Sequence, residues 1–233
     1  LAGLDLSCWR VAFDGAEPVA ARTLARFAAR FGAYGLRSTA LFPVYGLAEH
    51  TLAVTFPPLG AEPHWETIDR GIVAQGARAA PVAPDDPHGL SIVSVGVPLH
   101  GVSLEIRRDG AVVGDGEIGE ICVKSDSVMR EYFEDAAATA EALDNGWLKT
   151  GDLGYLRAGE LFVTGRSKEL IIIAGRNYYP HDLESAAAEV VGVRAARVVA
   201  FAVESDDGEA AVVVAETDGA PPADLADTVA QAV

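Results

Sequence analysis

One glycine-punctuated stretch, residues 150–180, constrains the fold of this chain more than any other part of it. Its first carboxylate, Asp152, lies between two glycines, and we expect this short segment to form a turn. Residues 159–164 are typical of a strand that leads into Arg166, and the β-branched run 170–173 predicts another strand. A carboxylate close to a guanidinium suits the vicinal hydroxyls of a ribose. An ordinary surface ion pair between Asp152 and Arg166 would give the same spacing.

Three ordered motifs in this stretch resemble the hinge region of the adenylate-forming enzymes, and within them most resemble the fatty acyl-AMP ligases. The motifs are TGD at 150–152, GRSKELII at 165–172 and GRNYYPHDLE at 175–184. The resemblance implies that Asp152 and Arg166 hold the ribose of an adenylate. It also implies that Lys168 is the catalytic hinge, the residue about which a small C-terminal domain turns.

Two motifs nearer the N terminus resemble nucleotide-binding segments of the same enzymes. DGAEP at 14–18 resembles the segment whose backbone lines the adenine, and YGLAE occupies 45–49. A glycine lets the backbone approach a ligand closely, and a tyrosine offers a flat face to a purine. The resemblance therefore implies that the nucleotide contacts Gly15, Ala16, Glu17, Tyr45, Gly46, Leu47 and Ala48.

Glu49, which closes the second motif, is the candidate magnesium ligand. Mg²⁺ is commonly held by one or two carboxylates together with the phosphate oxygens of a substrate. In the superfamily the preceding residue is usually a threonine or serine that reaches the α-phosphate, whereas this chain has Ala48, as the fatty acyl-AMP ligases do. The α-phosphate must then find its donor elsewhere. We interpret the adjacent His50 as structural, because a single histidine without a partner is weak evidence for catalysis.

A long proline-rich segment separates Glu49 from the strand-like residues 91–96. Related acyl-CoA ligases cross this interval in fewer residues, and fatty acyl-AMP ligases carry a characteristic insertion here, so we interpret residues 57–90 as that insertion. A loosely ordered surface loop is the alternative. A packed insertion is favoured by four apolar anchors, Trp65, Ile68, Ile72 and Val73. In the family, the insertion restrains the small domain and disfavours the geometry that accepts CoA.

Composition excludes several classes of protein. Half of the 233 residues are hydrophobic and 22% are charged, which suffices for a substantial core in one large domain or two smaller ones. A net charge of −16 argues against nucleic acid as a partner, and no apolar run is long enough to span a membrane. Cys8 and Cys122 match no metal or redox spacing, so we expect two buried, reduced thiols. With no export signal, this predicts a cytoplasmic location.

The hydrophobic patterns predict a mixed α/β and α+β architecture. We expect strands at 9–13, 91–96, 102–106, 120–123, 159–164, 170–173, 198–203 and 210–215, and helices at 18–32, 136–143, 180–191 and from 221 onward. Asp109-Gly110 indicates a hairpin, and Asn145-Gly146 is expected to end the helix at 136–143. The resemblance implies the adenylate-forming enzyme fold. Residues 1–166 would form the C-terminal portion of its large domain, and residues 167–233 part of its small C-terminal α+β domain.

Two features of adenylate-forming enzymes have no counterpart in this sequence. One is the Ser/Thr/Gly-rich loop that cradles the pyrophosphate of ATP. The other is a lysine near the C terminus that contacts the carboxylate and the α-phosphate, since Lys168 is the last lysine here. We therefore expect the sequence to be a fragment of a longer enzyme, inactive by itself.

The resemblance implies an enzyme that uses ATP and Mg²⁺ to convert a fatty acid into acyl-AMP. The acyl group would then pass to the phosphopantetheine of an acyl carrier protein. Three alternatives stay open: an acyl-CoA ligase, an amino-acid-activating domain of a peptide synthetase, and a non-catalytic binding fragment of the same fold.

An acyl carrier protein would need a local positive patch on this chain, because carrier proteins are acidic and so is the chain. The candidates beyond the hinge are Arg176, Arg194 and Arg197. We expect a turn after Gly192 to present the last two together. These arginines could equally balance nearby carboxylates, namely Glu184, Glu189 and Glu204.

Overall fold

The computed structural model describes residues 1–76, 78–205, 208–219, 222 and 224–232, which form two compact units. The first unit comprises Leu1–Val73 and Ala77–Thr164, and the second comprises Ala74–Gly76 and Gly165–Val233. The boundary at 166/167 that we infer from the hinge motif remains a prediction. Within the described ranges, no helix is long and apolar enough to cross a membrane.

The chain up to Arg166 is built mainly from short strands. In order they are β1 (Ala12–Asp14), β2 (Leu41–Pro43), β3 (Tyr45–Leu47), β4 (Leu52–Phe56), β5 (Trp65–Asp69), β6 (Gly89–Val93), β7 (Val97–Pro98), β8 (Ser103–Arg108), β9 (Ala111–Val112), β10 (Gly119–Lys124), β11 (Leu143–Asp144), β12 (Trp147–Arg157) and β13 (Glu160–Arg166). Three helices accompany them, α1 (Ala21–Gly32), α2 (Arg70–Ala74) and α3 (Ala136–Ala142).

A six-stranded sheet forms the centre of the first unit. Its strands run in the order β11-β12-β10-β8-β9, and β13 pairs with β12. Alternation along each strand turns one set of side chains inward, where Ile106, Ile121, Val123, Leu148 and Leu161 are almost completely buried. Three smaller sheets accompany it: the parallel pair β1–β2, the antiparallel pair β5–β6 and the antiparallel sheet β3-β4-β7.

Two Asx-Gly pairs form tight hairpin turns, although we predicted only one of them to do so. Asp109 and Gly110 have φ angles of 51° and 79° and join β8 to β9, which confirms the expected hairpin. Asn145 and Gly146 have φ angles of 51° and 81° and join β11 to β12, so the expectation that they end a helix is wrong. Two successive left-handed residues give a turn whose twist matches that of paired strands. The preceding helix, α3, has already ended at Ala142.

Helix α1 packs through the apolar stripe that its sequence predicts. Leu24 is 3% exposed, and Phe27 and Phe31 pack against the same buried cluster. The start of the helix differs from the prediction, because Ala20 has an extended backbone and the first helical residue is Ala21 rather than Pro18. Its arginine row, Arg22, Arg26 and Arg30, lies on the exposed face, as expected of a solvated helix face.

The proline-rich segment 57–90 is folded and packed. Strands β5 and β6 form an antiparallel pair, and Pro81 forms a bridge with Ile68 on β5. Ile68 and Val73 are 0% and 1% exposed, so these two residues anchor the segment as predicted. Trp65 does not, since 41% of its surface is exposed. The packed alternative is thus confirmed over the loosely ordered loop.

The second unit combines two short strands and two long ones with two helices in the residues that the structure describes. It contains β14 (Ile171–Ile173), β15 (Arg176–Tyr178), α4 (Pro180–Ala188), β16 (Val193–Ser205), β17 (Gly208–Thr217) and α5 (Leu225–Ala232). Strands β14 and β15 pair antiparallel, as do β16 and β17, and Ile171, Leu183 and Ala200 form the core. Helix α4 begins at Pro180 as predicted but ends at Ala188, before the predicted stop at Gly192.

Both cysteines are free, but only one is buried. Cys122 is 1% exposed, and burial raises the pKa of its thiol to about 11, so it stays protonated at neutral pH. Cys8 is exposed, so the expectation of two buried thiols is wrong for this residue.

Gly96 should be far less tolerant of a side chain than Gly101, although both have similar left-handed φ angles of 86° and 82°. A Cβ on Gly96 would lie 2.1 Å from the carbonyl carbon of Phe56, whereas a Cβ on Gly101 meets no atom within 4 Å. We expect Gly101→Ala to lower the free energy of unfolding by about 1 kcal/mol, the cost of left-handed backbone alone. Gly96→Ala should lower it by about 3 kcal/mol or more, because the backbone must move as well. Urea unfolding of both variants measures the difference, and equal losses would contradict the crowding.

Candidate functional site

The parallel pair β1–β2 brings the two N-terminal motifs together. Both strands end at the same edge of the sheet, and the backbone N–H of Val44 donates to the carbonyl oxygen of Asp14 over 2.8 Å. Strand β1 is shorter than the strand predicted at 9–13 and ends at Asp14. The carboxyl ends of parallel strands are the usual place for ligands in α/β folds. The segment 15–17 therefore lies beside the start of the motif at 45–49.

The turn after β1 is shaped by close backbone approach. A Cβ on Gly15 would lie 2.8 Å from the carbonyl oxygen of Val44, so a side chain would push the two segments apart. The next residue, Ala16, has a left-handed φ of 68°. Burial, and then the neighbouring charge of Glu17, raise the pKa of Asp14 above its ordinary value. The backbone of this turn is thus fixed by neighbours within the first unit.

A buried hydrogen bond joins the motif at 45–49 to the TGD motif, 107 residues away in sequence. The phenol hydroxyl of Tyr45 donates to Oδ2 of Asp152 over 2.7 Å. Both residues are nearly inaccessible, with 9% of Tyr45 and 6% of Asp152 exposed. A carboxylate this deep is tolerated only when it is hydrogen-bonded. Tyr45 therefore helps to fix the orientation of the candidate ribose ligand.

Asp152 lies within β12 and not in a turn, which corrects the expectation for its glycine-flanked segment. The register between β10 and β12 explains its position: Glu120 pairs with Leu153 and Cys122 with Lys149, so β12 carries extra residues in this interval. Such a bulge re-aims side chains and is frequent beside functional sites.

The bulge is stabilised by its own polar contacts. Gly151 has a φ of 74°, and its N–H donates to Oε1 of Glu120 over 3.1 Å. The hydroxyl of Thr150 donates to the carbonyl oxygen of Ile121 over 2.8 Å and accepts from the N–H of Asp152 over 3.1 Å. Thr150 and Gly151 of the TGD motif therefore build the backbone that carries the aspartate.

Gly46 is required by a neighbouring strand. A Cβ at this position would lie 1.7 Å from the carbonyl oxygen of Leu52, where β3 and β4 pair with an irregular register. The sequence predicts that this glycine lets the backbone approach a ligand. The structure shows that it lets β3 approach the backbone of Leu52. Leu47 is buried and Ala48 is exposed at the start of a single 3₁₀ turn, Ala48–His50.

Glu49 lies in that turn, half-buried, and Oε1 of its carboxylate accepts a hydrogen bond of 2.8 Å from the hydroxyl of Tyr132. Burial, and then this bond to Glu49, raise the pKa of Tyr132, so the phenol remains a donor. Tyr132 was missed by sequence reasoning, because no local pattern links it to a residue 83 positions earlier.

The donor set at Glu49 fits a magnesium ion held jointly with substrate. Among the residues that the structure describes, no group of three or more Asp, Glu, His or Cys side chains could enclose a metal ion. A carboxylate has about four lone-pair directions, so the bond from Tyr132 leaves capacity for a cation. Mg²⁺ bound here would depend on one carboxylate together with phosphate oxygens and water, which is its common mode of binding.

His50 has the structural role that we expected. Its Nδ1 lies 2.9 Å from the carbonyl oxygen of Ala53, and its Nε2 lies 2.7 Å from the hydroxyl of Ser125. The side chain is 2% exposed, so both ring nitrogens are engaged within the fold.

The remaining candidate residues lie in the second unit. Arg166 ends β13, and Lys168 lies in the 3₁₀ turn Ser167–Glu169; both are exposed. The first unit thus brings together residues 15–17, 45–49 and Asp152. The role of Arg166 beside Asp152 and the hinge role of Lys168 remain predictions.

The three arginines that we considered for carrier-protein docking are also exposed. Arg194 and Arg197 lie in β16, so the expectation that a turn presents them is wrong. Arg194 forms 3.1 Å ion pairs with Glu216 and Asp218, which are not the carboxylates that we expected it to balance. Arg176 lies in β15.

Comparison with known proteins identifies the family of this chain. The profile of the family described as AMP-binding enzyme matches residues 2–133. The chain is 38% identical over 230 residues to the long-chain-fatty-acid–AMP ligase FadD26 of Mycobacterium tuberculosis, covering 93% of this chain and 39% of that protein. It is 36% identical over 230 residues to the medium-chain-fatty-acid–acyl-carrier-protein ligase JamA of Moorena producens, with the same two coverages.

Solved structures agree with the sequence comparison. A structure from a study of fatty acyl-adenylate ligases of E. coli and L. pneumophila superposes with a TM-score of 0.89 at 36% identity, covering 98% of this chain and 42% of that one. This confirms the predicted adenylate-forming fold, and this chain spans about two fifths of the length of these relatives. The chain belongs to the AMP-binding enzyme family, and within that family it resembles the fatty acyl-AMP ligases.

Proposed function

We propose that this chain is part of an enzyme that activates a fatty acid with ATP to form acyl-AMP and pyrophosphate. The observation that carries the proposal is the buried bond between Tyr45 and Asp152, beside the turn at 15–17. The bond joins the motif at 45–49 to the candidate ribose-binding residue Asp152 within one unit, and the backbone bond from Val44 to Asp14 places the turn at 15–17 beside that motif. A carboxylate held this firmly is pre-organised for a ligand with vicinal hydroxyls.

Each group at the site has a proposed task. Asp152 holds the ribose hydroxyls, a task that the motif resemblance also gives to Arg166, and the backbone at 15–17 together with residues 45–48 surrounds the adenine. Glu49 is the residue that would bind Mg²⁺, held in place by Tyr132. When bound, the ion would neutralise charge on the phosphates of ATP. The substrate carboxylate attacks the α-phosphate and pyrophosphate leaves, so the side chains act by positioning and by charge stabilisation.

The second half of the proposed reaction transfers the acyl group to the phosphopantetheine of an acyl carrier protein. A relative whose name specifies an acyl-carrier-protein ligase supports this acceptor. Rotation of the second unit about Lys168, which lies exposed in a one-turn helix, would exchange the adenylation geometry for the transfer geometry. Arg176 and Arg197 are the better candidates for docking an acidic partner, because Arg194 already has two carboxylate partners.

The packed insertion 57–90 is our reason for preferring a carrier protein to CoA as the acceptor. A folded segment can restrain a domain motion, whereas a loose loop cannot. An acyl-CoA ligase remains the second candidate, since it would use the same ribose and metal ligands. It would be favoured if the insertion had no influence on the acceptor.

Removing the carboxylate of Asp152, which is proposed to bind the ribose, should impair adenylation. In the full-length protein, Asp152→Ala should lower kcat/KM for acyl-AMP formation by the equivalent of about 2–4 kcal/mol, because a charge-assisted pair is lost. Tyr45→Phe keeps the ring and removes only the donor to Asp152, so its effect should be smaller. Pyrophosphate exchange dependent on a fatty acid measures both, with Asp109→Ala in an exposed turn as the control. Normal exchange by Asp152→Ala would remove this residue from the site.

The role of Glu49 is tested through magnesium. Glu49→Gln keeps the size of the side chain and an oxygen for Tyr132, but it removes the charge that attracts the cation. We expect a higher Mg²⁺ concentration for half-maximal adenylation, with activity partly restored at saturating Mg²⁺. Titrating Mg²⁺ against the rate of acyl-AMP formation gives the result. An unchanged titration curve would make Glu49 an ordinary acid that only positions Tyr132.

The insertion should control the choice of acceptor. Replacing residues 57–89 with a short linker in the full-length protein should allow acyl transfer to CoA, because a restraint worth about 3 kcal/mol changes a population by roughly a hundredfold. Chromatography of products formed with CoA, and separately with a loaded carrier protein, measures the ratio. Efficient acyl-CoA formation by the unaltered protein would favour the acyl-CoA ligase instead.

A further inference from the structure

Arg157, the last residue of β12, connects two separate parts of the insertion. Its Nε lies 2.7 Å from the carboxylate of Glu66 on β5. Its Nη2 donates over 2.7 Å to the carbonyl oxygen of Ala79, on the returning part of the same segment. A lysine could not make both contacts, because only a guanidinium has donors that point in two fixed directions.

The surroundings of Arg157 hold its guanidinium in this geometry. Tyr155 donates to Oε2 of Glu66 over 3.2 Å, and its ring lies 5.5 Å beneath the guanidinium. Burial, and then the charge of Glu66, raise the pKa of Tyr155, so its hydroxyl stays protonated and keeps donating. Gly116 packs directly against the arginine, since a Cβ there would lie 3.0 Å from Nη1.

These contacts are sheltered enough to matter energetically. The side chains of Arg157 and Glu66 are only 23% and 21% exposed, and Ala79 is fully buried. A partly buried, multiply bonded arginine contributes more than an exposed ion pair, and removing it takes the guanidinium away from both the Glu66 carboxylate and the Ala79 carbonyl. Another polar contact of the insertion, between His64 and Glu160 at 2.8 Å, involves a histidine side chain that is 54% exposed.

The two residues that Arg157 contacts, Glu66 and Ala79, lie on either side of a short stretch of the insertion. Glu66 precedes and Ala79 follows Ala74–Gly76, the three insertion residues that belong to the second unit. Fixing both flanks fixes the path of the chain between them.

We propose that Arg157 is a positioning residue for acceptor choice: by clamping Glu66 and Ala79, it keeps the insertion in the conformation that excludes CoA. This inference rests on the proposed function and specifies which residue enforces it. Arg157 takes no part in adenylation and does not touch the acceptor. Its effect passes entirely through the insertion.

The test compares acceptor choice in variants of the full-length protein. Arg157→Leu should raise the ratio of acyl-CoA to acyl-carrier product by about tenfold or more, since modest free-energy changes shift populations by such factors, while fatty-acid-dependent pyrophosphate exchange stays unchanged. Arg157→Lys should give an intermediate ratio, because it retains the charge and loses one of the two contacts. Arg30→Leu is the control: it removes an exposed arginine of α1 in the same unit but outside the insertion, and should leave the ratio unchanged.

Two further variants show whether Arg157 acts through the insertion. Glu66→Gln weakens the same clamp from the other side, and its effect should not add to that of Arg157→Leu in the double variant. In protein lacking residues 57–89, Arg157→Leu should change nothing further. Additive effects, or an effect in the absence of the insertion, would overturn the proposal.

The remaining outcomes separate this inference from the proposed function. If the unaltered protein excludes CoA and loss of the insertion admits it, yet Arg157→Leu, Arg157→Lys and Glu66→Gln keep the original ratio, the inference alone is wrong. If the unaltered protein transfers efficiently to CoA, the proposed function fails and the clamp has nothing to enforce. Should Arg157→Leu lose pyrophosphate exchange through misfolding, Arg157→Lys and Glu66→Gln carry the same test.

Discussion

The hydrogen bond from Tyr45 to Asp152 is the contact on which the candidate site depends. A carboxylate that is 6% exposed would be strongly destabilising without a hydrogen-bond donor, and the tyrosine hydroxyl supplies one. The tyrosine follows the parallel strand β2, and the aspartate lies in the bulge of β12. A shift in either strand would move one partner by several ångströms. The bond therefore ties the register of the six-stranded sheet to the position of the nucleotide motifs.

Close backbone contacts make the rest of this framework rigid. Gly15 lies against Val44, and Gly46 lies against Leu52, at distances that leave no room for a side chain. A site built from packed backbone loses little entropy when a ligand binds, and its dipoles need not reorient during reaction. The hydrogen bond from Tyr132 likewise holds the side chain of Glu49, which is proposed to bind a cation, in one orientation.

The insertion is held by two kinds of contact. Its apolar side chains Ile68 and Val73 are buried, and two of its groups, the Glu66 carboxylate and the Ala79 carbonyl, bond to Arg157. Burial gives the segment stability, whereas the directional contacts of a guanidinium give it one conformation. A segment that is only buried could shift along its apolar surface. A segment that is also held by directional contacts keeps one conformation, as the proposed control of acceptor choice requires.

The sequence by itself determined the family, the order of the motifs and many of the strands and helices, because these depend on local patterns. Alternation predicted β8, the pair Asp109-Gly110 predicted its hairpin, and the resemblance of the DGAEP, YGLAE and TGD motifs led to the proposed nucleotide site. Only the tertiary structure decided that Asp152 lies in a strand and that Gly46 packs against the backbone of Leu52. It also decided that Tyr132 and Arg157 have partners far along the chain. Such contacts follow from strand register and bulges, which join residues tens of positions apart and leave no periodic signal in the sequence.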